Sequence, residues 1–553
     1  MSAAFQHAFY YLGVMFRTLL LLFICGCFSF SASSQITYEL IEEYSYDDID
    51  DVLAEFGVPA GFLPIQYEVK YYKVTYPTTH PNGDEILVTG GLAVPETVCP
   101  VALASYQHGT VAAKTNVPSH LNDEALLGVL YAAVGIVCTQ PDYIGLGDSD
   151  LFHLYVHADS EARTAMDMVL AAHELQEELG FNLNNNHVMY GYSQGGHATM
   201  ALQKLWEEEY LDEYNLLGSA PMSGPYDMSG AQADVLVSDN PYPTPGYLPY
   251  VLLSFQEVYG TMWEDISDVF VEPYATMIPD LFDGINSMGY INNQLPDVPI
   301  DMLHPDVLEA FQNAEDHPIQ LALEDNDLYD WAPSVPTELY YCQGDDQVSY
   351  LNSVNALEAF ENNGSTSVTF FDGGDLDHSN CATGAMLSSF AFLYQEVGVV
   401  FDPEISVNVE DVTVFGAMDG SISVSGVGIE NWTLEWSNGD SGTDIENLDA
   451  GTYTLTITNE VGCWVEFDYI VGTPVFVEGY DDIQLTLFPN PTSGILNVEL
   501  SSGQKSFTIF DMLGDRVMEG SVSNGERLDL NSLSDGIYVF RLEDGTSIKI
   551  LKR

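Results

Sequence analysis

The feature that most limits what this chain can fold into is five residues long. Gly191-Tyr192-Ser193-Gln194-Gly195 follows an apolar run, His187–Tyr190, and opens a helical pattern, Gly195–Glu208. A reactive serine at a strand-to-helix junction sits on a tight, strained turn, and bulky neighbours would clash there. The N-terminus of the following helix also favours negative charge that develops beside the serine. Ser193 is therefore the candidate nucleophile. The motif further demands a strand ending and a helix starting at one point, which belongs in a layered α/β domain.

The flanking sequence has that rhythm. Strand patterns at Gln66–Val74 and Glu85–Ala93 enclose the turn Pro81-Asn82-Gly83. Val101–Tyr106 is an apolar strand ending in His108-Gly109-Thr110, and Ala125–Val134 is a helix. Gly135–Thr139 is a buried strand running into Asp142-Tyr143-Ile144-Gly145-Leu146-Gly147. Ser160–Leu179 is a long amphipathic helix, and His187–Tyr192 is the strand before the serine. The rhythm breaks between Tyr226 and Ala332, a stretch rich in Tyr, Phe, Leu, Met and Pro that is too long for a plain loop. It resumes with strands at Glu338–Cys342 and Ser367–Phe371 and helices at Ser349–Phe360 and Ala382–Glu396. Past Phe401 only short strands and turn residues remain, in two stretches that each read as a small β-sandwich.

A serine needs a base and an orienting acid. In chains of this layout they follow it in the order acid, then histidine. His378 lies after the Ser367–Phe371 strand, in a suitable loop. His197, one turn past the serine, is expected to face away, and His304 and His317 fall in the insertion. The acid is Asp345 or Asp346, just beyond the Glu338–Cys342 strand. Cys342 precedes Asp345 by three residues and Cys381 follows His378 by three, so a Cys342–Cys381 disulfide would pin the two loops together.

Charge excludes several partners. Thirteen Lys and Arg stand against 83 Asp and Glu, a formal charge of −70, and neither Lys nor Arg occurs between Lys204 and Lys505. Nucleic acid and anionic lipid require a basic footprint, so neither is an expected partner. The charge reads as a surface adapted to salt. Asp325, Asp327 and Asp330 cluster without completing a Ca²⁺ loop, and no cysteine pair has metal-ligand spacing, so no metal or cofactor is expected. Residues 1–34 read as a signal peptide: Leu19–Phe28 is apolar but short of a span, and Ala32-Ser33-Ser34 forms a cleavage site. No other long apolar stretch follows, so no transmembrane anchor is expected in the mature chain. Of the cysteines beyond the signal, an odd one must stay free.

Residues 65–397 resemble the secretory lipase branch of the α/β-hydrolases. The resemblance rests on Tyr106-Gln107-His108-Gly109-Thr110, Asp142-Tyr143-Ile144-Gly145-Leu146-Gly147, Gly191-Tyr192-Ser193-Gln194-Gly195-Gly196, Gly224-Pro225-Tyr226-Asp227 and Asp345-Asp346-Gln347-Val348. It implies an α/β-hydrolase fold with a helical cap at 226–332, and ester hydrolysis by Ser193, Asp345 and His378. The oxyanion hole would use the backbone N–H groups of Gln194 and Thr110. Tyr341-Cys342 departs from the family's usual His-Gly before the acid, which loosens the register on which Asp345 is preferred. A peptidase on the same fold is disfavoured, because the insertion has no cation to grip a carboxylate. A noncatalytic binding protein would be expected to carry a broken triad.

Residues 401–473 are similar to an immunoglobulin-like repeat of gliding-motility adhesins, through Trp436-Ser437-Asn438-Gly439, Leu448-Asp449-Ala450-Gly451-Thr452-Tyr453 and Gly462-Cys463. Val414 stands where that family has a cysteine, so Cys463 is expected to be unpaired. Residues 474–553 resemble the C-terminal sorting domain of type IX secretion, through Phe488-Pro489-Asn490-Pro491, Asp511-Met512-Leu513-Gly514 and the basic end Lys549–Arg553. The implied partner is the type IX secretion machinery, and the implied location is outside the cell or on its surface. The hydrolase region itself would occupy 35–400.

Overall fold

The computed structural model describes the chain from Ile36 onward, apart from 56–62, 64, 314–316, 398–402, 404, 415, 461, 473–484, 502, 512–515 and 544. The expected signal peptide and the expected boundary at 473/474 lie outside the described residues. Two units emerge. One runs to Val407 and also holds Val424–Thr443 and Tyr453–Asp468; the other holds Asn408–Ser423, Asp444–Thr452 and Tyr469–Arg553.

The first unit is built on a nine-stranded sheet. In chain order its strands are β1 (Thr37–Tyr44), β2 (Val69–Thr79), β3 (Glu85–Pro95), β4 (Pro100–Gln107), β5 (Ile136–Pro141), β6 (Asn182–Tyr192), β7 (Asn215–Met222), β8 (Thr337–Tyr341) and β9 (Val368–Asp372). They lie in the order β1-β2-β3-β5-β4-β6-β7-β8-β9. β1, β2, β3 and β5 pair antiparallel, and from β5 through β4 to β9 every pairing is parallel. β4 and β5 are buried almost throughout, and both are largely apolar, with Ser105, Gln107, Thr139 and Gln140 buried near their C-terminal ends.

Helices cover both faces, as parallel strands require. The helices named below are α1 (Tyr46–Glu55), α2 (Ala125–Ala133), α3 (Ala158–Leu179), α4 (Gln194–Glu209), α5 (Tyr247–Tyr259), α6 (Leu351–Asn362) and α7 (His378–Val397). Met166 and Val169 of α3, Trp206 of α4 and Phe360 of α6 share one core with the sheet. Ile49 of α1, Val129 of α2 and Leu393 of α7 share the core on the opposite face. This is an α/β-hydrolase fold. Helix α7 starts at His378, four residues before the expected Ala382, because the Asp377 carboxylate accepts the Asn380 N–H and caps it.

The insertion between β7 and β8 folds into short helices around its own core, with Phe255, Phe270, Ile278 and Met302 inside. Tyr242, Tyr250 and Phe282 belong to that core, while Tyr247, Tyr259, Trp263 and Tyr274 pack half-buried against it. Asp325, Asp327 and Asp330 do not converge. They accept hydrogen bonds from Tyr259, Ser229 and Asn363 respectively.

Beyond the hydrolase region, Ile405–Glu410, Gly420–Gly426 and Asp444–Leu448 form one three-stranded sheet, and Thr433–Trp436, Gly451–Thr458 and Trp464–Val471 form another. In the second unit, a three-stranded and a four-stranded antiparallel sheet enclose Leu496, Val498, Ile509, Phe540 and Ile550, making a small sandwich.

The cysteines correct one expectation and add a bond. Cys342 and Cys381 are bonded, with Cα atoms 6.0 Å apart. Cys463, expected unpaired, is bonded to Cys99 at the head of β4, with Cα atoms 5.2 Å apart. Val414 offers no sulfur, and the partner comes instead from 364 residues upstream. Among the described residues the free thiol is Cys138, fully buried in β5, and burial pushes it up to about 12. A thiol so held is unreactive at neutral pH. In the chain lacking residues 1–34, iodoacetamide under denaturing, non-reducing conditions should therefore modify Cys138 alone, and the native protein should resist it. Alkylation of Cys342 or Cys463 without reductant, read by peptide mass mapping, would contradict the pairing.

Candidate active site

The turn at Ser193 is made by close backbone approach. Ser193 has φ 62° and ψ −122°, a strained conformation for a residue with a side chain. Its N–H donates to the Met222 carbonyl at the end of β7, 2.9 Å away. The flanking glycines are needed because the chain crowds itself. A Cβ on Gly195 would lie 2.0 Å from the Gln107 carbonyl oxygen, and one on Gly191 would lie 2.4 Å from the Gly195 oxygen. The Gln194 N–H, in the first turn of α4, has no acceptor within the helix.

The loop after β4 faces this turn and is braced from below. Asp142 is fully buried, with burial raising its carboxyl, and it accepts from Thr89 Oγ1 at 2.5 Å and from the Ser119 N–H at 3.0 Å. Tyr143, at φ 67°, packs its ring against His108 at a tilt and donates its hydroxyl to the His108 carbonyl, 3.1 Å away. The Asp142–Gly147 motif thus buttresses the loop. Glu124 takes the Gly109 N–H at 3.0 Å and the Tyr106 hydroxyl on the same oxygen. With Gly109 occupied, the next N–H along the loop is that of Thr110, whose hydroxyl shares a hydrogen bond with Tyr155 at 3.1 Å.

The structure brings His378 and Asp345 together. His378 Nδ1 lies 2.7 Å from Asp345 Oδ2, and both side chains are buried. The other Asp345 oxygen accepts the N–H groups of Gln347 (3.0 Å) and Val348 (2.8 Å). Asp346 turns to the backbone and accepts the His378 N–H at 3.2 Å. Tyr192 donates its hydroxyl to the His378 carbonyl at 2.6 Å. The Cys342–Cys381 bond flanks both loops across 39 residues. By chain entropy, a ring of that size is worth about 4 kcal/mol. The cap joins in as well: Tyr242 donates to the Gln347 carbonyl (2.7 Å) and Tyr247 to its side-chain oxygen (3.1 Å).

A buried polar network lies behind the serine, and the sequence reading did not find it. Gln194 Nε2 donates to Glu161 Oε1 at 2.8 Å and to His153 Nε2 at 2.9 Å. His153 can accept there because its Nδ1–H is given to the Ile144 carbonyl, 2.9 Å away; burial pushes this imidazole down to about 3, keeping it neutral. Glu161 Oε2 lies 2.8 Å from His197 Nδ1. His197 Nε2 lies 3.1 Å from the Asn326 carbonyl, which can only accept, so Nε2 carries a hydrogen. The Glu161–His197 pair therefore shares one further proton. Glu161 and His197 are both fully buried. The signal was present in α3, where positions 161, 165, 168 and 172 share one buried face and only Glu161 is charged.

Replacing Glu161 tests the network. Glu161→Gln keeps an acceptor toward Gln194 and adds a donor toward His197. Glu161→Leu leaves Gln194 with His153 alone and His197 with the Asn326 carbonyl alone, and breaking such a buried pair costs about 3–5 kcal/mol. Urea unfolding should rank the variants in that order. Equal losses would mean that the charge itself, and not the hydrogen-bond pattern, holds the network.

Comparison with known proteins agrees with this architecture. Residues 119–387 match the model of the secretory lipase family, and residues 486–553 match that of the secretion system C-terminal sorting domain. A putative hydrolase from Legionella pneumophila is 28% identical, with 65% of this chain and 97% of that one covered, at a TM-score of 0.61. The rice cell wall degrading esterase LipA from Xanthomonas oryzae is 28% identical over 65% of this chain and 97% of its own, at a TM-score of 0.59. Candida antarctica lipase A shares the fold at 14% identity and a TM-score of 0.50, with 65% and 82% covered. No curated protein matches the sequence.

Proposed function

We propose that the chain is an exported carboxylic-ester hydrolase whose nucleophile is Ser193. The match of residues 119–387 to secretory lipases supports the reaction class, and the sorting-domain match supports export. The observation that carries the mechanism is the His378–Asp345 hydrogen bond of 2.7 Å, in a chain whose serine occupies the strained turn. His378 takes the Ser193 proton as the oxygen attacks the ester carbonyl. Asp345 fixes the imidazole tautomer and stabilises the imidazolium. The N–H groups of Gln194 and Thr110 receive the developing oxyanion. His378 then gives its proton to the leaving alcohol, and water, activated by the same imidazole, releases the acid from Ser193.

The acyl group sits beneath the cap. A small cavity beside Ser193 is walled by Tyr155, Gln194, Tyr247, Val251 and Val348, a mostly apolar lining. The surrounding negative charge disfavours an anionic substrate and speeds departure of the carboxylate product.

Ser193→Ala and His378→Ala should each abolish ester turnover, and the double variant should be little worse than either, because the group acts as a unit. Asp345→Asn should damage kcat more than Asp346→Asn. Near-normal turnover in His378→Ala would move the base elsewhere.

The sorting domain serves export and not catalysis. Its seven cations, Lys505 through Arg553, set it apart from the acidic remainder. A chain ending at Gly472 should fold and keep its ester turnover, yet fail to leave the cell. Loss of activity in that purified chain, with its circular dichroism intact, would make the tail part of the catalytic unit.

A further inference from the structure

Two spaces of very different size lie near the candidate nucleophile: Ser193 itself lines the smaller, and its neighbour Tyr192, but neither Ser193 nor His378, lines the larger. The cavity under the cap measures about 20 Å³. That is the tighter of the two spaces, and it suits a small group. The second space is a cleft of about 280 Å³ lined by Leu127, Leu130, Tyr192, Met386 and Leu387, with Gly109 at one edge. That volume approaches the lower limit of ordinary small-molecule sites, about 300 Å³.

The position of the cleft says which half of a substrate it takes. Gly109 immediately precedes Thr110 in the loop over the serine. Tyr192 immediately precedes Ser193 and holds the His378 carbonyl through its hydroxyl at 2.6 Å. Met386 and Leu387 lie about two turns along the helix that His378 opens. In acyl transfer the departing oxygen must face the imidazole that protonates it. The substituent on that oxygen therefore leaves on the α7 side, where the cleft lies. Its walls are mostly hydrocarbon, with Thr383 among them, and its one acid, Glu124, already has an oxygen bonded to Gly109 and Tyr106. An uncharged alkyl or terpenoid group fits such walls, while an anionic alcohol would meet Glu124.

We infer that this cleft is the alcohol subsite, and that the preferred substrates join a short acyl group to a bulky apolar alcohol. The inference rests on the Ser193–His378 reading above. In the first half-reaction the Ser193 oxygen bonds to the acyl carbon and the bond from that carbon to the alkyl oxygen breaks. The serine proton passes through His378 to that oxygen, and the free alcohol departs through the cleft. Water then releases the short acid and restores the serine hydroxyl.

Initial rates of the purified full chain on octyl acetate, ethyl acetate and methyl octanoate test this directly. Octyl acetate should exceed both others in kcat/KM by at least about tenfold, in keeping with what a few buried methylenes discriminate. Met386→Trp, which fills the cleft, should lower the octyl-to-ethyl acetate ratio by at least about tenfold. Leu127→Phe should lower it in the same direction, and serves if the tryptophan variant does not fold. Methyl octanoate as the best substrate, with its turnover lost in either variant, would assign the cleft to the acyl chain and overturn the inference. An unchanged ratio in the folded variants would overturn it as well. If the wild type cleaves no ester and Ser193 fails to react with a fluorophosphonate, the hydrolase reading itself falls and takes the inference with it.

Discussion

The candidate active site is arranged around one crowded point, where the end of β4 meets the start of α4. The Gln107 carbonyl lies 2.0 Å from where a Gly195 side chain would begin. No other residue fits, and because none fits, the helix N-terminus can come down directly onto the end of the sheet. The Ser193 backbone takes up the resulting strain. Two supports keep it there: the Met222 carbonyl that binds its N–H, and the buried Glu161–Gln194 contact that holds the following side chain.

The remaining parts reach that point by separate routes. The histidine and acid arrive on loops after neighbouring parallel strands, β9 and β8, which a disulfide joins. The loop proposed to hold the oxyanion arrives after β4 and rests on Asp142 and Tyr143. The cap reaches the acid loop through Tyr242 and Tyr247 and walls the small cavity with Tyr247. Those tyrosines serve by their hydroxyls as well as by their rings, which a count of aromatic residues does not reveal.

The parts of the structure legible in the sequence are those encoded locally. The Ser193 turn, the hairpin at Asn82-Gly83 and the apolar strands β4 and β5 announce themselves within a few residues. Of Asp345 and Asp346, it is Asp345 whose side chain meets the imidazole, a contact across 33 residues that spacing alone does not specify. β7 escaped the reading because Gly218, Ser219 and Pro221 interrupt its apolar pattern, though it is buried between two strands. Glu124 and Glu161 escaped because their meaning lies in partners on other elements. Cys463 was misread because a local resemblance pointed to a partner position that holds valine, while its true partner lies on another sheet.

The Cys99–Cys463 bond changes how the chain carries load. It closes a ring of 364 residues that contains Ser193, Asp345, His378 and the whole cap. Outside the ring lie the segment before Cys99 and everything after Cys463, including the sorting domain. If the two ends are pulled apart, as on a cell surface in flowing water, tension passes from one sulfur to the other and bypasses the ring. The loops that carry Ser193, Asp345 and His378 would then stay slack while the rest of the molecule bears the strain.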